Sequence, residues 1–247
     1  MYHIVIPARY SSTRLPAKAL AEINGKPMVY WVWRQALQSS AVSVTVATDD
    51  ERIRSALSIH GAEVVMTDPA HPSGTDRLAE VGRLKGWDDG SVVVNLQGDE
   101  PLMPVANLEQ VAELLVTHPE ASISTLSEPI SSYSAFTDPA VVKVVSDHVG
   151  RAQYFSRAPI PHLRGDTNNI IPTEARRHIG LYAYRVSFLR EFSARAVAPY
   201  EQLESLEQLR ALHYGHEIRI ADAFETVPAG VDTLADLEAV RAIMADR

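Results

Sequence analysis

A cationic loop follows the first apolar run of the chain, which ends at Pro7. The loop, PARYSSTRLPAK over 7–18, carries Arg9, Arg14 and Lys18 together with three hydroxyl side chains. Fixed positive charge and short hydroxyl donors can hold the oxygens of a triphosphate. The loop lacks the glycines of a P-loop or a dinucleotide-binding turn. We predict a phosphate-binding loop here, and the alternative is a solvated basic loop.

Acidic side chains stand on two further turns. Asp99 and Glu100 lie in NLQGDEP, between a glycine and a proline, directly after the strongest predicted strand. Asp232 lies in AGVDT before the last predicted helix, and its alternative role is that of a helix N-cap. Mg²⁺ beside phosphates is usually held by one or two carboxylates and by the substrate. The cationic loop and these aspartates together favour nucleotidyl transfer with Mg²⁺.

A third polar segment, HPSGTDRLAE, places Ser73 and Thr75 in a turn that leads into a helix. The backbone N–H groups at such a helix start can bind an anion or the edge of a base. Asp76 and Arg77 follow in the same segment, and they could equally pair on the helix surface. Asp50, after another predicted strand, is better explained as a helix cap.

The elements that must position these segments alternate between strand and helix over the first half of the chain. The predicted strands span 2–7, 42–48, 63–66 and 91–97, and the predicted helices span 28–38, 50–59, 75–84 and 104–116. Such alternation indicates a parallel sheet that is covered on both faces. Ligands of these sheets bind beyond the carboxyl ends of the strands, which is where the polar segments stand.

The pattern changes after about residue 120. Strand-like runs span 121–126, 140–145 and 177–186, followed by a helix over 201–214, a strand over 217–223 and a helix over 234–244. We predict an α/β fold with a Rossmann-like, mainly parallel sheet and a smaller mixed insertion subdomain. The nucleotide-binding core would comprise 1–120 and 215–247, and the insertion over 121–214 would also carry a dimer contact.

Composition excludes several classes of protein. The net charge of −8, from 23 Lys and Arg against 31 Asp and Glu, argues against a non-specific nucleic-acid binder, which needs a basic surface. The absence of cysteine excludes disulfides, thiolate metal sites and a cysteine nucleophile. We find neither an apolar run long enough to span a membrane nor a signal peptide. We therefore expect a soluble cytoplasmic protein.

The chain resembles the 3-deoxy-manno-octulosonate (Kdo) cytidylyltransferase family, also called CMP-Kdo synthetases, in seven motifs. In chain order these are PARYSSTRLPAK, SGTDRLAE, NLQGDEP, YFSRAPIP, RHIGLYAYR, LEQLR and GVDT. The first indicates only the wider sugar-nucleotidyltransferase superfamily, whereas RHIGLYAY with LEQLR is much more specific. The resemblance implies a single glycosyltransferase-A-like nucleotidyltransferase domain over 1–247, a homodimer, Mg²⁺ dependence and a place in lipopolysaccharide synthesis. The implied reaction converts CTP and Kdo into CMP-Kdo and pyrophosphate.

The resemblance also assigns roles, residue by residue. The nucleotide would contact Ala8, Arg9, Ser12, Arg14, Lys18, Ser73, Thr75, Arg77 and Asp99. Asp99 and Asp232 would bind Mg²⁺, and Lys18 and Arg14 would complete the catalytic set. The sugar acid would contact Gln97, Arg157, His178, Tyr182, Glu207 and Gln208, with its carboxylate on Arg157. The chain departs from the family at Ala198 and Tyr200, where a Pro/Ser-rich entry to the last long helix is more common.

The residues of the sugar side agree with this assignment. Alternate side chains of a strand share a face, and one face of RHIGLYAYR carries polar rings around a glycine: His178, Gly180, Tyr182 and Tyr184. The other face is apolar: Ile179, Leu181 and Ala183. A histidine that stands alone more often has a structural role than a binding role. Here, however, the polar rings on either side of a glycine suit the wall of a sugar-binding site. The helix over 201–214 carries a polar arc, which could also be a solvated face: Glu204, Glu207 and Gln208.

The expected chemistry is in-line attack of the sugar's anomeric 2-hydroxyl on the α-phosphorus of CTP. Such transfer depends on positioning and charge more than on covalent help from the protein, and no general base is evident. One alternative is a cytidylyltransferase for another sugar acid, such as the 8-amino Kdo analogue or a sialic acid. Another is an inactive nucleotide-binding regulatory subunit, which would not need Lys18, Asp99 and Asp232. In each case the expected ligands are small molecules, with neither nucleic acid nor membrane as a partner.

Overall fold

The computed structural model describes residues 1–12, 15–165 and 169–245, and it confirms the α/β class. The strands are β1 (Tyr2–Ala8), β2 (Glu22–Ile23), β3 (Lys26–Pro27), β4 (Ser43–Thr48), β5 (Glu63–Met66), β6 (Val92–Asn95), β7 (Ile123–Pro129), β8 (Lys143–Ser146), β9 (Ala152–Ser156), β10 (Arg176–Arg185) and β11 (Ile218–Asp222). The helices are α1 (Met28–Ala36), α2 (Glu51–Ser58), α3 (Gly74–Lys85), α4 (Val105–Val116), α5 (Tyr133–Thr137), α6 (Val186–Ala194), α7 (Pro199–Glu204), α8 (Gln208–His213) and α9 (Leu234–Met244). A short 3-10 turn covers Lys18–Leu20.

Within the described ranges, the central sheet has the strand order β11-β7-β10-β6-β1-β4-β5. The strands β6, β1, β4 and β5 are mutually parallel, as are β11 and β7. On this path β10 is the reversed strand, antiparallel to both β6 and β7. The hairpin of β8 and β9 continues from the start of β10. The prediction of a mainly parallel sheet with a mixed portion is therefore confirmed.

The helices form a layer on each face of the sheet because the central strands are apolar on both sides. On β1, Ile4 and Ile6 pack into the layer of α1, α2 and α4, whereas Val5 packs into the layer of α3, α6 and α8. All three side chains are fully buried. A continuous apolar run of this kind is what a doubly covered parallel strand requires. The two layers hold β1 rigidly, and with it the cationic loop that follows.

A bulge interrupts β10 opposite β7. Ile179 lies opposite Leu126, but Tyr182 already lies opposite Thr125. The Thr125 hydroxyl approaches the carbonyl oxygens of Ile179 and Leu181 at 3.0 and 2.8 Å, which ties the bulge to β7. The predicted division of faces is confirmed, because Ile179, Leu181 and Ala183 join one core layer and Tyr182 and Tyr184 join the other. The tyrosines therefore face the layer that contains α3 and α8.

The predicted single helix over 201–214 is wrong. The chain instead forms α7 and α8, separated at Ser205, whose backbone is left-handed with φ 52° and ψ 52°. The leucine spacing misled the prediction because Leu203 is not part of a buried stripe: it is 81% exposed, while Leu206 and Leu209 are buried. The break turns the start of α8 toward the sheet.

The sheet continues across the boundary predicted at residue 120, because β10 of the predicted insertion pairs directly with β6 of the predicted core. The division into core and insertion stays a prediction. Sequence reasoning also missed α5, α6 and the small hairpin of β2 and β3. In the part of the chain that the structure describes, no helix has both the length and the apolar character needed to cross a bilayer.

Candidate active site

A cavity of about 350 Å³ lies beyond the carboxyl end of β6, between β10, the start of α3 and the start of α8. Five residues predicted to bind ligands line it: Thr75, Gln97, Tyr182, Glu207 and Gln208. The carboxyl end of a parallel strand is the expected place for a ligand in this class of sheet. The fold therefore joins the predicted nucleotide side and the predicted sugar side in one cavity.

Thr75 and Glu207 connect these two sides. Thr75 lies in the first turn of α3 and donates its hydroxyl to Glu207 Oε2 at 2.9 Å, directly before α8. Burial of the carboxyl raises the pKa of Glu207, although hydrogen bonds from Thr75 and Ser73 oppose this rise. A polar ligand in the cavity would meet this carboxyl group at the junction between the two sides.

Three buried polar atoms of the cavity wall have no hydrogen-bond partner among the residues that the structure describes. They are Asn95 Oδ1, Glu100 Oε2 and Gln208 Nε2. Buried polar groups are nearly always paired, so an unpaired cluster around one cavity indicates that a polar ligand completes the bonding. An amide oxygen, a carboxyl group and an amide donor suit a ligand that is rich in hydroxyl groups.

Lys18, Asp99 and Asp232 meet in one charged cluster beside this cavity. Lys18 Nζ donates to Asp99 Oδ2 at 2.5 Å and to Asp232 Oδ1 at 3.0 Å. Burial tends to lower the pKa of Lys18, but Asp99 and Asp232 outweigh burial, so the pKa is raised. The lysine is therefore a cation held between two carboxylates. Three positions that are far apart in the sequence form a single site.

Close backbone packing positions these carboxylates. A Cβ atom on Gly98 would lie 2.9 Å from the carbonyl oxygen of Pro7, so only glycine lets this turn approach the end of β1. The amide of Val231 donates to the carbonyl oxygen of Asp99 at 2.9 Å, which joins the two acidic turns. Asp232 then immediately precedes Thr233, the N-cap of α9.

The donor set of this cluster suits a hard divalent cation that is shared with a phosphate ligand. Asp99 and Asp232 supply carboxylate oxygens, and Mg²⁺ is commonly held by one or two carboxylates with the remaining positions taken by water and phosphate oxygens. Across the described ranges, no group of three or more histidine, cysteine or acidic side chains forms a self-sufficient metal cage. The residues present therefore fit Mg²⁺ that arrives with a nucleotide.

The cationic loop is placed beside this cluster. Ala8 is the buried last residue of β1, and Arg9 follows it with its guanidinium bonded to the carbonyl oxygen of His71 at 2.8 Å. Ser12 is partly exposed. Arg14 lies outside the described residues. The predicted roles of these four residues toward the phosphates of the nucleotide stay predictions.

Ser73 and Arg77 have structural partners, which lie at the start of α3 for Ser73 and after β4 and β5 for Arg77. The Ser73 hydroxyl accepts from the backbone N–H of Asp76 at 3.2 Å and thereby caps the helix. Arg77 is fully buried and donates to Asp49 Oδ2 at 2.9 Å and to the Thr67 hydroxyl. The guanidinium therefore anchors α3 to the strand ends behind it and does not line the cavity.

Arg157, predicted to bind the carboxylate of the sugar acid, is not among the residues that line the cavity. Its Nε donates to the carbonyl oxygen of Glu204 at 2.7 Å, and its Nη1 donates to that of Pro139 at 3.0 Å. The side chain therefore braces the end of α7 next to Ser205. Its contact with a sugar carboxylate stays a prediction.

His178 lies behind the cavity wall. Its Nε2 is 3.0 Å from the Thr125 hydroxyl, and its ring packs against Phe155 and Tyr182. Burial lowers the pKa of His178 to about 3, so the imidazole is neutral at ordinary pH. The arrangement supports Tyr182 from behind, and direct contact of His178 with a sugar stays a prediction.

Asn95, Glu100 and Tyr184 also line the cavity. Sequence reasoning gave no role to Asn95, and it placed Glu100 on the acidic turn and Tyr184 on the polar face of the predicted strand without including them among the binding residues. Burial, together with the neighbouring charge of Asp99, raises the pKa of Glu100 to about 8. Asn95 could have been found, because it is the polar residue that interrupts the apolar strand VVVN. Tyr184 was already placed on the same face of this strand as Tyr182, and only its inclusion among the ligand-binding residues was missed.

Comparison with known proteins agrees with this geometry. The family described as Cytidylyltransferase matches residues 3–218. The 3-deoxy-manno-octulosonate cytidylyltransferase of Cellvibrio japonicus (strain Ueda107) is 51% identical over 98% of both chains. The enzyme of that name from Chromohalobacter salexigens is 52% identical over 98% of this chain and 96% of its own.

Two solved structures are also similar to this chain. A structure of CMP:2-keto-3-deoxy-manno-octonic acid synthetase complexed with CTP matches with a TM-score of 0.91 and 42% identity over 99% of both chains. A cytidylyltransferase from Leptospira borgpetersenii serovar Hardjo-bovis matches with a TM-score of 0.64 over 99% of this chain and 86% of its own. It is only 15% identical, so it supports the fold alone. By its motifs, its fold and its similarity over nearly the full length, the chain belongs to the 3-deoxy-manno-octulosonate cytidylyltransferase family.

Proposed function

We propose that this protein transfers the cytidylyl group of CTP to the anomeric hydroxyl of Kdo, giving CMP-Kdo and pyrophosphate for lipopolysaccharide synthesis. The observation that carries the proposal is the cluster of Lys18, Asp99 and Asp232 beside a polar cavity with unpaired hydrogen-bonding atoms. Phosphoryl-type transfer needs such fixed charge next to a site that orients the acceptor. The names and the close similarity of the relatives support CTP and Kdo as the two substrates.

The nucleotide would lie along the end of β1 and the start of α3. Arg9, Ser12 and Lys18 would bind the phosphates, and the family resemblance adds Arg14 to this set. The first turn of α3 would face the cytosine and ribose, where Thr75 is buried at the cavity wall. Helix starts present backbone N–H groups that suit anionic or acceptor-rich ligands.

We propose that Asp99 and Asp232 hold Mg²⁺ when CTP is bound. The ion would neutralise phosphate charge and act as a Lewis acid toward the phosphate oxygens. Lys18 adds a second positive charge at the same place, because its pKa is raised and it stays protonated. Asp99 and Asp232 both contact Lys18 and would gain the ion as a further partner with the nucleotide.

The acceptor would occupy the part of the cavity formed by β10 and α8. Tyr182, Glu207 and Gln208 present hydroxyl, carboxyl and amide groups toward it. The 2-hydroxyl oxygen of Kdo would form a bond to the α-phosphorus as the bond to the bridging oxygen of pyrophosphate breaks. The proton of the hydroxyl is released to solvent or to a neighbouring acceptor.

We also propose that the protein works as a homodimer. Three large apolar side chains around α7 are exposed, namely Val197, Tyr200 and Leu203. Tyr154 packs edge-on against the Tyr200 ring, which extends this surface onto β9. Exposed apolar side chains that collect on one surface commonly mark a protein interface.

The test is a pyrophosphate-release assay with CTP, Mg²⁺ and a panel of acceptors: Kdo, its 8-amino analogue and a sialic acid. We expect Kdo to be strongly preferred, because a site built to bond a hydroxyl can reject an analogue without it by about 10⁴-fold. Preference for the amino analogue or the sialic acid would overturn the choice of sugar. Failure with every acceptor, combined with tight CTP binding, would instead indicate a regulatory subunit.

A further inference from the structure

The corner between α7 and α8 is held by a buried ion pair that does not touch the cavity. Arg210 donates from Nε to Glu201 Oε2 at 2.8 Å and from Nη2 to Glu201 Oε1 at 2.6 Å. Both residues are buried, with 8% and 6% exposure. The Arg210 guanidinium also lies over the Phe192 ring of α6, 4.1 Å from its centroid. The pair therefore fixes α7, α8 and α6 relative to one another.

The same corner presents the acceptor-side residues of the cavity. Gln208 begins α8, and Arg210 follows two residues later, about 200° around the helix. Gln208 therefore faces the cavity while Arg210 faces the opposite side, and Gln208 Nε2 is the buried donor that has no partner in the described part of the protein. Any rotation of α8 about the left-handed residue Ser205 would move Gln208 and Glu207 together.

We propose that Arg210, paired with Glu201, is a positioning residue that sets the affinity for the acceptor sugar acid by fixing the orientation of Glu207 and Gln208. This inference rests on the proposed function. A forked, two-bond pair fixes direction as well as distance, which a single charge contact does not do. Neither hydrogen bond of the pair reaches the predicted nucleotide side, which meets the corner through the Thr75 hydroxyl on Glu207. CTP binding is therefore expected to depend on the pair much less than binding of the acceptor does.

The variant Arg210→Met removes the guanidinium fork and keeps an unbranched apolar side chain as long as the arginine stem. We expect the KM for Kdo to rise at least about tenfold, because small displacements of positioning groups have large kinetic effects. The KM for CTP should stay within about twofold. Arg185→Met is the control, since Arg185 also makes several guanidinium hydrogen bonds from a partly buried position. Its partners include the backbone carbonyl oxygens of Ala121 and Leu115, which do not line the cavity. The control should lower the melting temperature and leave both KM values unchanged.

The double variant Glu201→Met/Arg210→Met separates positioning from stability. Replacing both partners of a buried ion pair by apolar side chains is often neutral or stabilising, so the melting temperature should recover. The KM for Kdo should remain raised, because methionines do not restore a directional contact. Recovery of KM together with the melting temperature would overturn the proposal, as would an unchanged KM in folded Arg210→Met.

Amide hydrogen exchange of the unliganded protein gives a test that is independent of the reaction. We expect exchange over 205–208 to accelerate at least about tenfold in both Arg210→Met and the double variant, since local opening of the corner becomes easier. Unchanged exchange in both would contradict the positioning role whichever acceptor the wild type prefers. A wild type that fails to make CMP-Kdo, with the exchange result as expected, would contradict only the proposed function.

Discussion

Asp99 and Asp232 are the single residues whose removal should affect catalysis most specifically. Asp99→Asn and Asp232→Asn should each lower kcat at least about 100-fold, the usual scale for one preorganised electrostatic group. Both changes keep the shape of the side chain, so the fold should persist. The measurement is steady-state pyrophosphate release over a range of Mg²⁺ concentrations.

Asp88→Asn provides the matched control for these variants, because Asp88 is an exposed acid on the turn after α3. Its kcat should equal that of the wild type. Near-normal turnover of either site variant at saturating Mg²⁺ would show that the carboxylate is not needed to hold the ion. Lys18 would then be the main positive charge at the phosphates.

His178 should make stability depend on pH in the acid range. Burial lowers its pKa to about 3, whereas the unfolded chain takes up the proton near pH 6.5. Between these values the unfolded state binds more protons, so the free energy of unfolding falls as the pH falls, by at most about 1.4 kcal/mol per pH unit. We expect the melting temperature to drop between pH 6.5 and pH 4.

The contribution of His178 can be isolated by comparing melting curves over this range. His178→Gln should flatten the pH dependence, since glutamine does not titrate there. His148→Gln, which changes an exposed histidine on the turn after β8, should leave the slope as in the wild type. If the melting temperature of His178→Gln depended on pH as strongly as that of the wild type, residues other than His178 would cause the loss of stability in acid.

The sequence predicts residues on turns between elements better than it predicts residues whose role depends on partners far away in the chain. Lys18, Asp99 and Asp232 were singled out because each stands in a loop or turn between predicted elements. Arg157 and Arg77 were predicted as ligands from the family resemblance, but their partners in the structure are backbone carbonyls for Arg157 and Asp49 with Thr67 for Arg77. Such pairings depend on residues distant in the sequence, so no local pattern reveals them.

At the scale of elements, the cap of α9 links helix stability to the acidic cluster. The Thr233 hydroxyl accepts from the Asp236 N–H at 3.2 Å, and Asp236 Oδ2 accepts from the Thr233 N–H at 2.8 Å. Thr233→Ala should reduce stability by about 1 kcal/mol, which corresponds to about 2–4 °C in melting temperature for a chain of this size. Because Asp232 directly precedes the cap, kcat should fall several-fold as well.

Ser132→Ala tests whether the loss of activity is specific to α9. Ser132 caps α5 by accepting from the Ala135 N–H at 3.2 Å. This variant should lose a similar amount of stability and keep its kcat. Equal kcat values for both cap variants would mean that Asp232 is held in place without the help of the helix cap.

Helices and strands could be predicted where the apolar pattern of the sequence alone determined them. The helices α1, α3, α4 and α9 follow from apolar periodicity bounded by turn residues, and the buried strands follow from their apolar runs. The break at Ser205 did not follow, because it depends on tertiary contacts of Glu201 and Arg210. The helix α6 was missed because it continues from β10 without a glycine or proline between them.

At the scale of the whole molecule, we expect Leu203→Glu to disrupt the proposed homodimer. Leu203 is 81% exposed, and burial of a new carboxylate in an interface is strongly unfavourable. Light scattering should give twice 27.2 kDa for the wild type and 27.2 kDa for the variant. Ile59→Glu, at a 79% exposed position after α2, should leave the mass unchanged. A monomeric wild type would contradict the prediction directly.

The contact between Lys18 and Asp232 has a consequence for how the enzyme is made. Its partners are separated by 214 positions in the chain. At the usual speed of translation, roughly 10–40 s pass between the synthesis of the lysine and that of the aspartate. A chain whose synthesis ends within this interval contains the cationic loop but lacks Asp232. Prematurely terminated products of this gene should therefore be unable to consume CTP.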